Sequence, residues 1–379
     1  MSHHPPTDPA AQPARAAPDR WFLLAIIFLA ISVMTWMYTL LNTDVALMIT
    51  QRNDLRAAVD AAANLVYGPP VRTSSADIFI YPPATAAAFI PLLPLDPYLA
   101  FAIFTLLSYA VYGSALIALC RRLGYGRRAA VWVALLGGLI VPALNNVIWG
   151  QSQLLLVGMI LWAILTPSRL AGGLLIGVAS YYKVYALLML AAFLICGERR
   201  RAGIGLATLA GIGLLGLATI GWARHLEFLN GLSIMTDIGA RISFSLYGVL
   251  SAFGLELSPV VGTPLLGAAW LLGAWRLRHN PLACYAFTFG ATLLISPIVW
   301  LHYFVFMVPP VIMLYRLAMA QAGPIRLAYI LSALLVLNTG LINTYVPARP
   351  LLIAAIFGVL ALVLICLYVG GRPADPVAA

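Results

Sequence analysis

Gly172 to Leu194 reads GGLLIGVASYYKVYALLMLAAFL. A bilayer-spanning helix needs about 20 predominantly apolar residues. This run supplies that length with a single charge, Lys183. The same composition continues outward in both directions. Of 379 residues, 63% are hydrophobic and 9% charged, and the mean hydropathy is +0.96. That balance excludes a soluble domain and predicts an all-α, polytopic helical membrane protein, since only helices satisfy their own backbone one chain segment at a time in lipid. Long apolar runs near 21–41, 98–120, 129–146, 152–166, 169–182, 184–197, 203–221, 258–276, 281–298, 301–316, 326–343 and 350–369 predict about twelve spans. Two further apolar pieces, near 84–95 and 244–256, are too short to cross and read as re-entrant or tilted segments. No polar segment between spans is long enough to be a soluble catalytic domain.

The tail 1–20 is rich in Pro, Ala and His, a composition that predicts disorder. The apolar segment behind it is too long for a cleavable signal. The expected layout is a cytoplasmic tail over 1–20, one integral membrane domain over 21–370 and a second cytoplasmic tail over 371–379.

Basic residues set the orientation, because cytoplasmic loops carry the excess of Lys and Arg. With the N-terminus inside, most of the 22 basic residues fall on the inner side and most of the 12 acidic residues on the outer side. Both termini are therefore expected in the cytoplasm. The pI near 9.7 does not indicate nucleic acid, because the arginines are scattered over span ends rather than gathered into one basic face. Cys120, Cys196, Cys284 and Cys366 all fall near inner span ends, so no disulfide is expected.

The unusual polar residues collect on the outer side. The longest loop, 42–96, lies there, with Asn145, Asn146, Gly150, Gln151, Gln153, Lys183, Trp300, His302, Asn343 and Tyr345. Lys183 is the chain's only lysine, and a cation at membrane depth by default has a partner or a task. The plainer alternative is a side chain that snorkels to the interface. Within the outer loop, residues 53–67 (NDLRAAVDAAANLVY) carry Leu55, Val59, Ala62 and Val66 at helical spacing, which predicts a helix lying on the membrane surface. Asp54 would occupy its first turn, where the helix dipole favours an ionised carboxylate, and a simple capping role would satisfy the same position. Asp60 would pair with Arg56. His302 sits among aromatics at a span end, which also suits an interfacial belt. Gly211–Gly216 matches GxGxxG, but it lies inside an apolar span with no preceding strand and reads as a packing surface. No metal-ligand spacing is present, so no metal and no cofactor is expected.

The stretch from Asp54 through Asp60 to Gly68, followed by Phe79-Ile80-Tyr81-Pro82-Pro83, resembles the first outer loop of the GT-C glycosyltransferases of glycosyltransferase family 87. These are similar to polyprenyl-phosphate-mannose-dependent α-1,2-mannosyltransferases. Trp149-Gly150-Gln151-Ser152-Gln153 resembles the family's GQ motif. Ala171-Gly172-Gly173 through Tyr182-Lys183 resembles its "aG…lK" segment. Ser245-Leu246-Tyr247-Gly248 resembles a short "nSl.g" element, and Ser296 to Tyr303 its "SP..W.HY" motif. The motifs run in order from about residue 50 to 310. Two departures bear on the sugar and acceptor more than on the reaction class: Val184 follows the lysine where the family has proline, and Ala57 and Ala58 replace aromatic residues.

The resemblance implies transfer of a sugar, mannose by family default, from a polyprenyl phosphate donor to a hydroxyl of a glycolipid or glycan acceptor. Transfer would invert the anomeric centre on the periplasmic side of a bacterial inner membrane. In that scheme Asp54 is the general base, with Asp44 the rival position. Lys183 and His302, helped by Arg241 and Arg349, face the departing phosphate. Tyr81, Asn145, Gln151 and Trp300 contact the sugar or acceptor, with helix capping and the aromatic belt as their structural alternatives. Membrane lipid is the remaining partner. The contrasting reading, a transporter or flippase of lipid-linked sugars, would need polar residues in both halves of a pathway and an internal repeat. A structural subunit would tolerate loss of Asp54, Lys183 and His302.

Overall fold

The computed structural model describes residues 54–67, 81–321, 323–338 and 348–371, together with Met34. The tail 1–20, the run 21–41, Asp44, the loop positions 68–80, Asn343, Tyr345 and positions 372–379 lie outside the described residues. The described chain is helical and contains no strand. Its α-helices are α1 (Asp54–Tyr67), α2 (Pro97–Arg122), α3 (Arg127–Leu139), α4 (Val141–Ile148), α5 (Gln153–Leu165), α6 (Arg169–Tyr182), α7 (Leu187–Ile195) and α8 (Arg199–Ile220). They continue as α9 (Trp222–Ile242), α10 (Leu246–Ala252), α11 (Pro259–Arg276), α12 (Pro281–Ile295), α13 (Val308–Met319), α14 (Gly323–Leu337) and α15 (Ala348–Gly370). Three 3-10 segments, Pro83–Leu92, Val184–Ala186 and Leu301–Met307, join them.

By length and composition, four described helices can cross a membrane: Pro97–Arg122, Arg199–Ile220, Leu301–Met319 and Ile353–Gly370. The pair α3 and α4, bent by 55° where Pro142 opens α4, makes a fifth if it counts as one span. The other apolar helices are 10–17 residues long. The apolar runs of the sequence are thus helical, but many stop short of bilayer thickness. The breaks have local causes. Lys183 is extended (φ −140°, ψ 121°) between α6 and the 3-10 turn Val184–Ala186. Its N–H still reaches the Ala179 carbonyl, and its own carbonyl accepts from Ala186. Gly150, at φ +57°, turns the chain between α4 and α5. Non-helical backbone of this kind is tolerated at membrane depth only inside protein or beside a cavity. The breaks at Gly150 and Lys183 lie side by side in space.

Helix α12 is the axis of the core; every residue from Ala283 to Ile295 is buried. Phe289 packs on Phe306, and Phe193 packs edge-on against Tyr285. The most extensive helix pair is α6 on α8, and small residues make it possible. A Cβ on Gly173 would lie 2.5 Å from the Ile204 Cβ, and one on Gly177 would lie 2.5 Å from the Gly205 carbonyl oxygen. The GIGLLG stretch of α8 serves packing only at its end. A Cβ at Gly216 would meet Ala84 at 3.0 Å, whereas Gly211 faces open space.

Two local expectations change. The segment 222–242, which belongs to none of the apolar runs, is helix α9; Leu226 and Leu229 on it are exposed, so apolar periodicity toward the protein core is weak. The predicted helix over 53–67 exists as α1, with its Arg56–Asp60 pair at 3.0 Å. Its apolar face is covered by protein. Leu55, Ala58 and Ala62 form a small core with Phe89 and Phe104, and Val66 is exposed.

Candidate active site

Four separate elements deliver the site. The first is the start of α1, which carries Asp54. Its backbone N–H donates to the Trp149 carbonyl at 3.0 Å, tying α1 to the Gly150 turn. The second is that turn itself: Gln151 leaves the helical register there, and its amide nitrogen donates to Asp54 Oδ2. The third is Tyr81, at the foot of the 3-10 helix Pro83–Leu92, whose hydroxyl reaches Gln151 Oε1 at 3.5 Å. The fourth is the break at Lys183.

Lys183 is 8% exposed. Its Nζ lies 4.8 Å from the ring centre of Tyr303, 5.0 Å from that of Tyr81 and 5.8 Å from that of Tyr185. Three tyrosine rings thus form a cage whose negative faces partly replace water around an ammonium. The Tyr303 hydroxyl stands 3.5 Å from Nζ. No carboxylate comes within 4 Å of Nζ among the described residues, yet Asp54 is close enough to act electrostatically on Lys183 and on Tyr81, Tyr182 and Tyr303. A carboxylate and an ammonium therefore lie within electrostatic reach of one another beside a group of tyrosines.

His302 is 5% exposed, stacks against Tyr303 at 4.9 Å and lies within the field of Lys183. Its Nε2 is buried and has no hydrogen-bond partner among the described residues. Buried polar groups without partners are costly and call for a reason. A bound oxyanion between Lys183, His302 and the tyrosines would supply one.

The motif pieces also meet one another. Phe244 donates its N–H to the Val299 carbonyl at 2.6 Å. Ser243 bonds the Ser245 hydroxyl at 2.9 Å and the Pro297 carbonyl at 3.2 Å. The 243–248 segment is thereby stitched to the segment that carries His302.

Of the residues singled out in the sequence, Asp54, Tyr81, Gln151, Lys183 and His302 gather here. Trp300 is half-buried and opens the 3-10 helix that holds His302. Asn145 is half-buried on α4, and its carbonyl accepts from Trp149; the buried amide is its neighbour Asn146, 1% exposed and unpartnered. Asn146, Gly150 and Gln151 line a small cleft against α2, with about 10 Å³ of room. Arg241 is in α9 and Arg349 in α15, with side chains outside the described set. Roles for Tyr185 and Tyr303 were missed. The signal was present as tyrosines flanking the lone lysine in YYKVY and following His302. Among the described residues, no three His, Cys, Asp or Glu side chains gather as metal ligands.

The chain is 29% identical over 342 residues to a polyprenol-phosphate-mannose-dependent alpha-(1-2)-phosphatidylinositol pentamannoside mannosyltransferase of Mycobacterium tuberculosis (strain CDC 1551 / Oshkosh). That alignment covers 81% of this chain and 76% of the relative. The model of glycosyltransferase family 87 matches residues 79–297, a stretch that holds Tyr81, Gln151 and Lys183. With more than half of its length matched, this multi-pass membrane protein belongs to glycosyltransferase family 87.

Proposed function

We propose that this membrane glycosyltransferase moves mannose from polyprenyl phosphate to a hydroxyl of a glycolipid or glycan acceptor on the periplasmic face of a bacterial inner membrane. The scaffold in this reading is GT-C-like with about twelve spans, and both termini are cytoplasmic. The observation that carries it is the tyrosine-caged Lys183 within electrostatic reach of Asp54. The printed name of the mycobacterial relative supports the donor.

The acceptor oxygen attacks the anomeric carbon from the side of Asp54, which takes up the hydroxyl proton as the new C–O bond forms. The bond from that carbon to the phosphate oxygen breaks, and its electron pair leaves with polyprenyl phosphate. Attack opposite the leaving group inverts the centre. Negative charge grows on the phosphate, where Lys183, the Tyr303 hydroxyl and His302 stabilise it. Lysine suits this position as a compact point charge. A phosphate leaving group neutralised by side chains requires no metal in this scheme. The sugar and acceptor lie toward Tyr81, Trp300 and the cleft beside Asn145 and Asn146. Arg241 and Arg349 are auxiliary cations in the same scheme. Exposed apolar residues of α2, such as Leu106 and Leu107, give a prenyl chain a lipid-facing approach.

The test is transfer of radiolabelled mannose from polyprenyl phosphate mannose into lipid acceptors by purified wild type and Asp54→Asn. Loss of a base lowers the rate by about 10²- to 10⁴-fold, so wild type should transfer and the folded variant should be nearly silent. Equal activity would move the base to Asp44. Failure of wild type to consume any polyprenyl phosphate sugar would discard the transferase mechanism in favour of lipid-sugar transport.

A further inference from the structure

We propose that Gln151 is the positioning residue of Asp54, anchored by Tyr81, and not a ligand of sugar hydroxyls. The inference rests on the reading of Asp54 as the base.

Gln151 is oriented at both ends of its amide. The nitrogen donates to Asp54 Oδ2, and the oxygen accepts from the Tyr81 hydroxyl at 3.5 Å. Turning the amide over would set its carbonyl against a carboxylate, which accepts only, so the chemistry admits one orientation. Gln151 and Tyr81 are both buried, at 7% and 6% exposure. This orientation is enforced from the backbone. Gly150 takes a left-handed φ of +57°, and the Gln151 N–H donates to the Asn146 carbonyl at 2.8 Å. The preceding residue, Trp149, offers its carbonyl to the Asp54 N–H. The turn 149–151 therefore clasps one residue of α1 twice, by its backbone and by its carboxylate, across 97 positions of sequence.

A buried N–H donor fixes the plane of the carboxylate and favours its ionised form. The anchor reaches the other half of the site, because the Tyr81 ring packs on Tyr182 at 5.2 Å and faces the Lys183 ammonium. Among the described residues, the charged or titratable groups that act on Asp54 include Lys183, Tyr81, Tyr182 and Tyr303, with Arg56 and Asp60 further along its own helix.

Two variants separate positioning from sugar binding. Gln151→Met keeps length and volume but removes the donor. Gln151→Glu keeps the shape and places a second carboxylate on Asp54. Each is compared with wild type in mannose transfer after its unfolding temperature in detergent shows it folded. Gln151→Met is expected to lower kcat about 10- to 100-fold with both KM values within about 2-fold, the pattern of a lost transition-state interaction. Gln151→Glu is expected to move the acid limb of the kcat–pH profile upward by about one unit or more, because a neighbouring carboxylate favours the protonated acid. Tyr81→Phe should lower kcat in the same direction by less. A raised KM for donor or acceptor at unchanged kcat would overturn the proposal and make Gln151 a sugar ligand. An unshifted profile in Gln151→Glu would overturn it as well.

The same question can be put without substrate. Infrared titration of protein labelled with [4-13C]aspartate, with Asp54→Asn subtracted, isolates the Asp54 carboxyl band. Asp54 should protonate at higher pH in Gln151→Met than in wild type, and coincident titrations would refute the clasp. If wild type transfers no mannose, the proposed reaction fails, and this titration alone decides the role of Gln151.

Discussion

At the scale of single residues, Lys183 owes its environment to aromatic neighbours and not to a counter-ion. Three tyrosine rings within 5.8 Å hold its ammonium, and Asp54 acts on it from beyond contact distance. A charge held this way remains able to receive a phosphate. Lys183→Met is expected to lower mannose transfer by about 100-fold or more, the scale seen when one preorganised electrostatic group is removed. Lys183→Arg restores the charge but brings a planar fork that does not match a cage built around a point charge, and should recover activity only in part. Steady-state transfer by the two purified variants checks both. Recovery to wild-type rate by arginine would show that charge alone, and not the cage, sets the site.

At the scale of elements, the site depends on how closely α6 approaches α8. Gly173 and Gly177 bring the two backbones into contact and fix where α6 ends, and so where Lys183 emerges. A valine at Gly177 would put carbon within 2.5 Å of the Gly205 carbonyl and within 2.6 Å of Thr208. Overpacking of this kind costs about 1–3 kcal/mol. Gly177→Val should therefore lower the unfolding temperature in detergent and reduce activity with it. Gly213→Ala, whose nearest neighbour is 3.8 Å away, should leave both unchanged or gain slightly from helix propensity. The α1 element shows the limit of periodicity as a guide. Its apolar stripe was legible, and its helix lies at Asp54–Tyr67. The partner of that stripe was not legible, because an apolar face packs equally well on lipid or on protein. Phe89 and Phe104, distant in sequence, decide for protein. Helix α9 escaped periodicity altogether, since its polar and apolar residues are mixed and its exposed leucines face away from the core.

At the scale of the whole molecule, the distribution of arginines predicts that the Gly150 and Lys183 end of the bundle faces outward. Single cysteines placed at two exposed positions test this in a background with Cys196 replaced by serine, the other three native cysteines being buried. A membrane-impermeant maleimide added to intact cells should label Glu227→Cys and leave His279→Cys unlabelled until the membrane is opened. The reverse pattern would place the site in the cytoplasm and exclude a periplasmic acceptor.

Hydropathy is additive along a chain and needs no knowledge of contacts, so the class of the molecule, a helical membrane protein, is legible in the sequence, and the apolar runs that fall on described residues are helical. The ordered motifs between about 50 and 310 resemble one glycosyltransferase family and single out Asp54 and His302, while Lys183 stands out as the chain's only lysine. Only the tertiary structure decided which of these residues meet. Gln151 reads in the sequence as a sugar contact, yet its amide is committed to Asp54 and Tyr81. Tyr185 carries no signal of its own in the sequence and Tyr303 only closes a motif, yet their rings flank the lysine. The breaks at Gly150 and Lys183 fall between apolar runs of the sequence, but that Tyr81 touches a residue at each break is visible only in the fold. The reason is physical: hydropathy measures transfer of each residue from water, whereas a broken helix and a caged charge are stabilised by pairwise contacts between segments far apart in sequence, and no local window contains both partners.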